Sequence, residues 1–241
     1  MKPLIGTFLS IGSAAVTELA AEVGFDWVLI DLEHGCESEA ALPNQLRALR
    51  GSQTLAIVRV SAPHPDLIGR VLDWGAHGIM VPHVDSADQA RHCVRAAHYP
   101  PQGHRGVSRT VRAYGYGLRV PEGEMPKPLI LAQIETAEGV ANADQIAAVE
   151  GIDALFIGPA DLSYDLRARQ SPRSYDECLD TVVKAAKAHG KGCGILVRHA
   201  DDQEKLRALG LTWIALDSDL SLVREGFKRN LATGRGMAGG Q

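Results

Sequence analysis

The chain has 241 residues, 45% hydrophobic and 22% charged, with a formal net charge of −4. That is ample apolar material for one large core, as in α/β barrels of this size, and the mild acidity excludes a nucleic-acid binder held by charge. No apolar run approaches the roughly 18 residues of a membrane span.

The opening stretch MKPLIGTFLS is broken by Gly6 too early to serve as a signal peptide. Cys36, Cys93, Cys178 and Cys193 are widely spaced and form no CxxC pair, so they read as free thiols. A cytoplasmic location, with no nucleic-acid or membrane partner, is the expectation. In chain order, eight short apolar runs follow: LIGTFL (4–9), WVLIDL (27–32), LAIVRV (55–60), GIMVPH (78–83), LILAQIE (129–135), ALFIGP (154–159), GCGILV (192–197) and WIALDS (213–218). Between most of them lie Ala- and Leu-rich segments of helical spacing, such as 14–24, 37–51 and 86–98. Gly24, Gly51, Gly75, Gly190 and Gly210 follow such segments where C-cap glycines belong. Asp66, Ser86 and Ser174 stand at N-cap or first-turn positions.

Strands alternating with helices give a parallel sheet, and apolarity that is continuous along each strand says both sheet faces are covered. Eight such units predict an α/β chain folded as a (β/α)8 TIM barrel, a single domain over residues 1–241. An open doubly wound sheet is the alternative, but SIGSAAV after the first strand lacks its glycine fingerprint. The literal GxGxxG at 234–239 follows the last helix and reads as part of a flexible tail, 234–241. Residues 98–128, rich in Pro, Gly and Arg, form a long loop of the kind that serves as a lid or interface element.

In such a barrel, chemistry sits at the C-terminal ends of the strands. Read in order, those ends carry Asp31, Glu33 and His34; Arg59; Pro82 and His83; Gln133 and Glu135; Gly158, Pro159, Ala160 and Asp161; then Arg198 and His199. Each has a plainer reading: a helix-capping carboxylate, a structural histidine, an internal ion pair. Their gathering on one face favours a polar site. His83 and His199 receive no task. Cys36 is set aside as a nucleophile, because Glu33 and Glu37 beside it would raise its pKa.

Glu135 and Asp161 come from separate strands with no cysteine or histidine at matching spacing. Oxygen-only ligation suits Mg²⁺, Mn²⁺ or another hard divalent ion with open positions for water and a chelating α-keto acid. Arg59 would neutralise the charge that remains. No lysine lies at the C-terminal end of a predicted strand, so a Schiff-base aldolase is excluded and an enolate formed here would need a metal ion.

The stretches VLIDLEHG, VRV, GIMVPHVDSADQA, PPQGHRG, AQIETAEGVAN and LFIGPADLS resemble the HpcH/HpaI aldolase family, from residue 4 to about 220. These are class II, metal-dependent pyruvate aldolases of the phosphoenolpyruvate/pyruvate barrel superfamily. The resemblance implies cleavage or formation of 4-hydroxy-2-oxo acids, to or from pyruvate or hydroxypyruvate and an aldehyde. It implies His34 as the base, acting with Asp31 and through water. Arg59 would hold the carboxylate and the enolate. Glu135 and Asp161 would bind Mg²⁺, Mn²⁺ or Co²⁺. Gln133, Gly158, Pro159, Ala160 and Asp161 would line the substrate.

Asp73 matches by spacing an aspartate that raises the histidine's basicity. It falls near a helix end at the far face of its own barrel, so it would serve a neighbouring subunit of a homo-oligomer, hexamer or trimer, with an exchanged helix. The family's RGVGS is here RGVSRTVRAYGYG, which would bring Arg109, Arg112 and Tyr114 to the aldehyde. Two rivals stand beside this reading: a citrate-lyase-β-like enzyme acting on an acyl-CoA thioester, which would need a phosphate- and adenine-binding patch, and a non-catalytic barrel that binds a keto acid.

Overall fold

A computed structural model describes residues 2–198 and 209–238. Eight parallel strands close into a barrel in chain order: β1 (Leu4–Leu9), β2 (Trp27–Asp31), β3 (Leu55–Arg59), β4 (Gly78–Val81), β5 (Leu129–Ile134), β6 (Ala154–Ile157), β7 (Gly192–Val197) and β8 (Trp213–Ser218). The ring shuts where β8 pairs with β1, Leu4 opposite Trp213. Helices α1 (Ala14–Val23), α2 (Leu42–Ala48), α3 (Pro65–Asp73) and α4 (Ala87–Ala97) cover the first half. The second half is covered by α5 (Ala137–Ala141), α6 (Ala143–Ala147), α7 (Pro159–Ala168), α8 (Tyr175–Ala188) and α9 (Asp219–Ala238).

The continuous apolar strands resolve into two cores with a period of two. In β2, Val28 and Ile30 join the large outer core under the helices, whereas Trp27 and Leu29 face inward. The inner core stacks Trp27, Trp213, Phe156, Leu29, Ile57, Met80 and Leu131, with the Trp27 and Trp213 rings edge to face at 5.3 Å. Truncating Trp27, which is fully buried, would cost about 3–5 kcal/mol. The same inward parity continues upward to Asp31, Arg59 and Gln133, so polar groups close the barrel above its apolar plug.

Local signals hold as expected. Ser86 and Ser174 form capping boxes with Gln89 and Glu177. The five expected C-cap glycines have φ between 66° and 96°. Two expectations differ from what is found. Helix α9 continues to Ala238, through most of the segment read as a tail, because Gly234 and Gly236 weaken a helix by about 1 kcal/mol each without forbidding it.

The 98–128 loop does not reach the strand C-terminal ends of its own barrel. It links the end of α4 to the start of β5, at the opposite face. There Arg112 donates to the carbonyls of Trp74 and Leu46, and the Tyr99 and Tyr114 hydroxyls meet at 3.0 Å. Arg112 and Tyr114 are thus anchored away from any aldehyde bound in this chain's barrel.

Candidate active site

Two walls face each other across the top of the barrel. On the first, Asp31 and Arg59 are paired in register across β2 and β3. The Arg59 Nε and Nη2 donate to the two Asp31 oxygens at 2.9 and 2.7 Å, and Nη1 lies 3.0 Å from the Glu33 carboxylate. Beyond Asp31 the chain doubles back, so that the Glu33 and His34 N–H groups also donate to Asp31 Oδ1. Gly35 permits this turn: a Cβ there would collide with the Asp31 carbonyl oxygen. Burial works against ionised Asp31, but the guanidinium and the two N–H donors outweigh it and hold the carboxyl below its usual value. Arg59 has five N–H donors, and these contacts leave two of them for another anion.

On the second wall, Glu135 is nearly fully buried. Its Oε1 accepts the His83 N–H at 2.7 Å and lies 3.1 Å from His83 Nδ1; its Oε2 accepts Gln133 Nε2 at 2.6 Å. Gly158 makes room for this pair, since a Cβ there would collide with Glu135 Oε2. Pro159, Ala160 and Asp161 then form the first turn of α7, Pro159 at the position where its missing N–H costs nothing. That turn offers free backbone N–H groups and the positive end of a helix dipole. Burial first, then the charges of Asp161 and Glu33, push the Glu135 carboxyl up to about 7, against the pull of the His83 N–H and ring.

Among the expected site residues, the fold thus brings Asp31, Arg59, His34, Gln133, Glu135 and Gly158 together, with Pro159, Ala160 and Asp161 at the rim. Asp73 is not among them. It sits at the far end of α3, bonded to Arg105 at 2.5 Å. His199 lies outside the described residues. Two residues without an expected role join this cluster. Glu33 bridges Arg59 and both histidines, 3.9 Å from His34 Nε2 and 3.8 Å from His83 Nε2. His83 adopts a left-handed backbone, φ 52°, that aims its N–H at Glu135. The Pro-His pair ending the fourth apolar run located His83; nothing local announced its backbone.

The donor set is compatible with a hard divalent cation. Asp31, Glu33 and Glu135 act on the Arg59 guanidinium, Asp161 adds its charge beside Glu135, and among the described residues the buried Gln133 Oε1 finds no hydrogen-bond partner. Among the described residues, no group of three or more His, Cys, Asp or Glu side chains is placed to hold a metal. An ion here would rest on two carboxylates and keep open positions.

The HpcH/HpaI aldolase/citrate lyase family model matches residues 4–226. A 5-keto-4-deoxy-D-glucarate aldolase from Salmonella arizonae is 37% identical over 230 residues, 93% of this chain and 90% of that one. An HpcH/HpaI aldolase/citrate lyase family protein from Burkholderia cenocepacia superposes with a TM-score of 0.90 at 34% identity, covering 97% and 95% of the two chains. The citrate synthase SbnG superposes at 0.83 with 32% identity, covering 98% and 95%. The barrel, the polar face at its strand ends and these matches together make the chain an aldolase-type enzyme belonging to the HpcH/HpaI aldolase/citrate lyase family.

Proposed function

We propose that the chain is a divalent-metal-dependent aldolase that cleaves or forms 4-hydroxy-2-oxo acids, with pyruvate or hydroxypyruvate as the oxo-acid partner and an aldehyde as the other. The observation that carries this reading is the under-neutralised second wall, Glu135 beside Asp161, facing an arginine with two donors to spare. Glu135 and Asp161 would hold Mg²⁺, Mn²⁺ or Co²⁺, which when bound supplies Lewis-acid polarisation of the oxo group and counter-charge for the enolate.

The chain's own residues do the rest. Arg59, fixed by Asp31 and Glu33, presents its remaining N–H groups to the substrate carboxylate and to charge growing on the oxo oxygen. Gln133 and the first turn of α7, at Gly158, Pro159 and Ala160, orient the oxo acid. His34, exposed at the mouth, takes the C4 hydroxyl proton directly or through water. The C3–C4 bond then breaks, the aldehyde leaves, and the enolate is reprotonated to pyruvate. Asp73 remains a candidate only for a neighbouring subunit's site.

The substrate to try first is 5-keto-4-deoxy-D-glucarate, which names the curated relatives at 37–38% identity. The thioester alternative finds no phosphate-binding arginine from this loop in the chain's own barrel, because Arg112 is fastened at the other end. Assembly into a homo-oligomer, trimer or hexamer, is supported by α9, where Leu220, Phe227 and Leu231 stand exposed on one face with Val223. A cytoplasmic setting belongs to the same proposal. Among the described residues no helix is long and apolar enough to cross a membrane.

Pyruvate release from a panel of 4-hydroxy-2-oxo acids, assayed with Mn²⁺ and with excess chelator, tests the proposal. Turnover only with the metal is expected; chelator-insensitive turnover would contradict it.

A further inference from the structure

The segments that carry His83, Glu135 and Asp161 are tied together by side chains lying just beyond them. Thr136 Oγ1, next to Glu135, bonds to Asp85, two residues after His83, and Asn142 donates to the Asp85 carbonyl at 2.7 Å. On the other side, Asp165 Oδ2 accepts the backbone N–H of Ala137 at 2.8 Å. Ala137 is the first residue of α5, two beyond Glu135. Thr136 caps α5 through Gly139, so the Ala137 N–H has no acceptor within its own helix and must find one outside.

Asp165 stands four residues after Asp161 on α7, on the same helix face. One face therefore presents Asp161 to the site and Asp165 to the root of the Glu135 segment. Arg169 Nε holds the other Asp165 oxygen at 2.6 Å. Against the pull of burial, the Ala137 N–H and that guanidinium together hold the Asp165 carboxyl below its usual value.

We propose that Asp165 is a positioning residue for the carboxylate pair: it clamps α7 to the start of α5 and so sets how far Glu135 stands from Asp161. The inference rests on the metal-binding reading above. It predicts an effect on cation affinity that a purely structural contact would not have, since partners that orient metal ligands are typically worth about 10–100-fold in affinity.

The test is Mn²⁺ titration of the purified full chain by calorimetry, with thermal melting in parallel. Asp165→Ala should weaken Mn²⁺ binding about tenfold or more. Asp165→Asn keeps an acceptor for the Ala137 N–H and should remain close to wild type. Ala137→Pro removes the donor instead and leaves Asp165 in place. Proline is tolerated at a first helical position, and Thr136 already has the extended backbone that precedes proline, φ −132° and ψ 160°. This variant should mimic Asp165→Ala, and it keeps the test open if Asp165→Ala folds poorly. Lowered melting temperature with wild-type Mn²⁺ affinity would overturn the inference, as would Asp165→Asn binding as weakly as Asp165→Ala. Wild-type protein that bound no Mn²⁺ would sink the metal reading itself, and this inference with it.

Discussion

The two walls of the site hold the same kinds of residue and differ in charge balance. On β2 and β3, Asp31 and Arg59 meet two oxygens to two nitrogens, and the Asp31 carboxyl is held below its ordinary range. On β5 and β6, Glu135 is as deeply buried, yet it faces an amide, a histidine and further acids, and its carboxyl is pushed up to about 7. Burial alone would raise both. The difference lies in whether the fold supplies the carboxylate with a cation: Asp31 has Arg59 built in, and on the proposed reading Glu135 would take a divalent ion instead.

The harshest way to break this contrast is Glu135→Ala. It removes a proposed metal ligand, and turnover should fall by about three orders of magnitude or more. Mn²⁺ dependence should vanish with it, whereas residual activity surviving in excess chelator would contradict the ligation. Next comes His34→Ala, expected to cost roughly 10²–10⁴ in turnover with Mn²⁺ affinity unchanged. His83→Ala should cost less, because its main hold on Glu135 is a backbone N–H that alanine keeps. A His34→Ala enzyme faster than His83→Ala would reverse the assignment.

The gentlest effect is on stability against pH in metal-free protein. Asp31, with its native value lowered, adds stability above its unfolded value near 3.9, and that stability fades as pH falls through the lowered native value. Glu135 runs the other way. Its contribution is complete below its unfolded value near 4.3 and is lost as pH rises through about 7. Urea unfolding across pH 3–8 should therefore lose its acid-side slope in Asp31→Asn and its neutral-side slope in Glu135→Gln, on the order of 1.4 kcal/mol for each tenfold difference in proton affinity between the folded and unfolded chain. Profiles unchanged by both variants would refute the contrast.

Much of this was legible from residue order. Apolar strands without alternation pointed to two covered faces, and eight such runs favoured the closed ring that is found. Inward parity then carried Asp31, Arg59 and Gln133 to the same end as Trp27, Ile57 and Leu131. Glu33 and His83 were not legible, because both depend on backbone turns set by tertiary contacts: the reversal at Gly35, and a left-handed residue held by Glu135. The 98–128 loop was not placed by its composition. A segment that follows a helix and precedes a strand lies at the strand starts, so Arg112 is held at the face opposite this barrel's own site. Asp73 was placed correctly at that far face, and its partner there is Arg105.

The most direct measurement is calorimetric titration of pyruvate into the wild-type chain loaded with Mn²⁺, into the same chain stripped by chelator, and into Glu135→Ala with Mn²⁺. Binding should appear in the first and disappear in the other two. A fully loaded wild-type protein with no affinity for pyruvate, or equal affinity in all three, would contradict the proposal that two acidic side chains recruit the ion a 2-oxo acid needs.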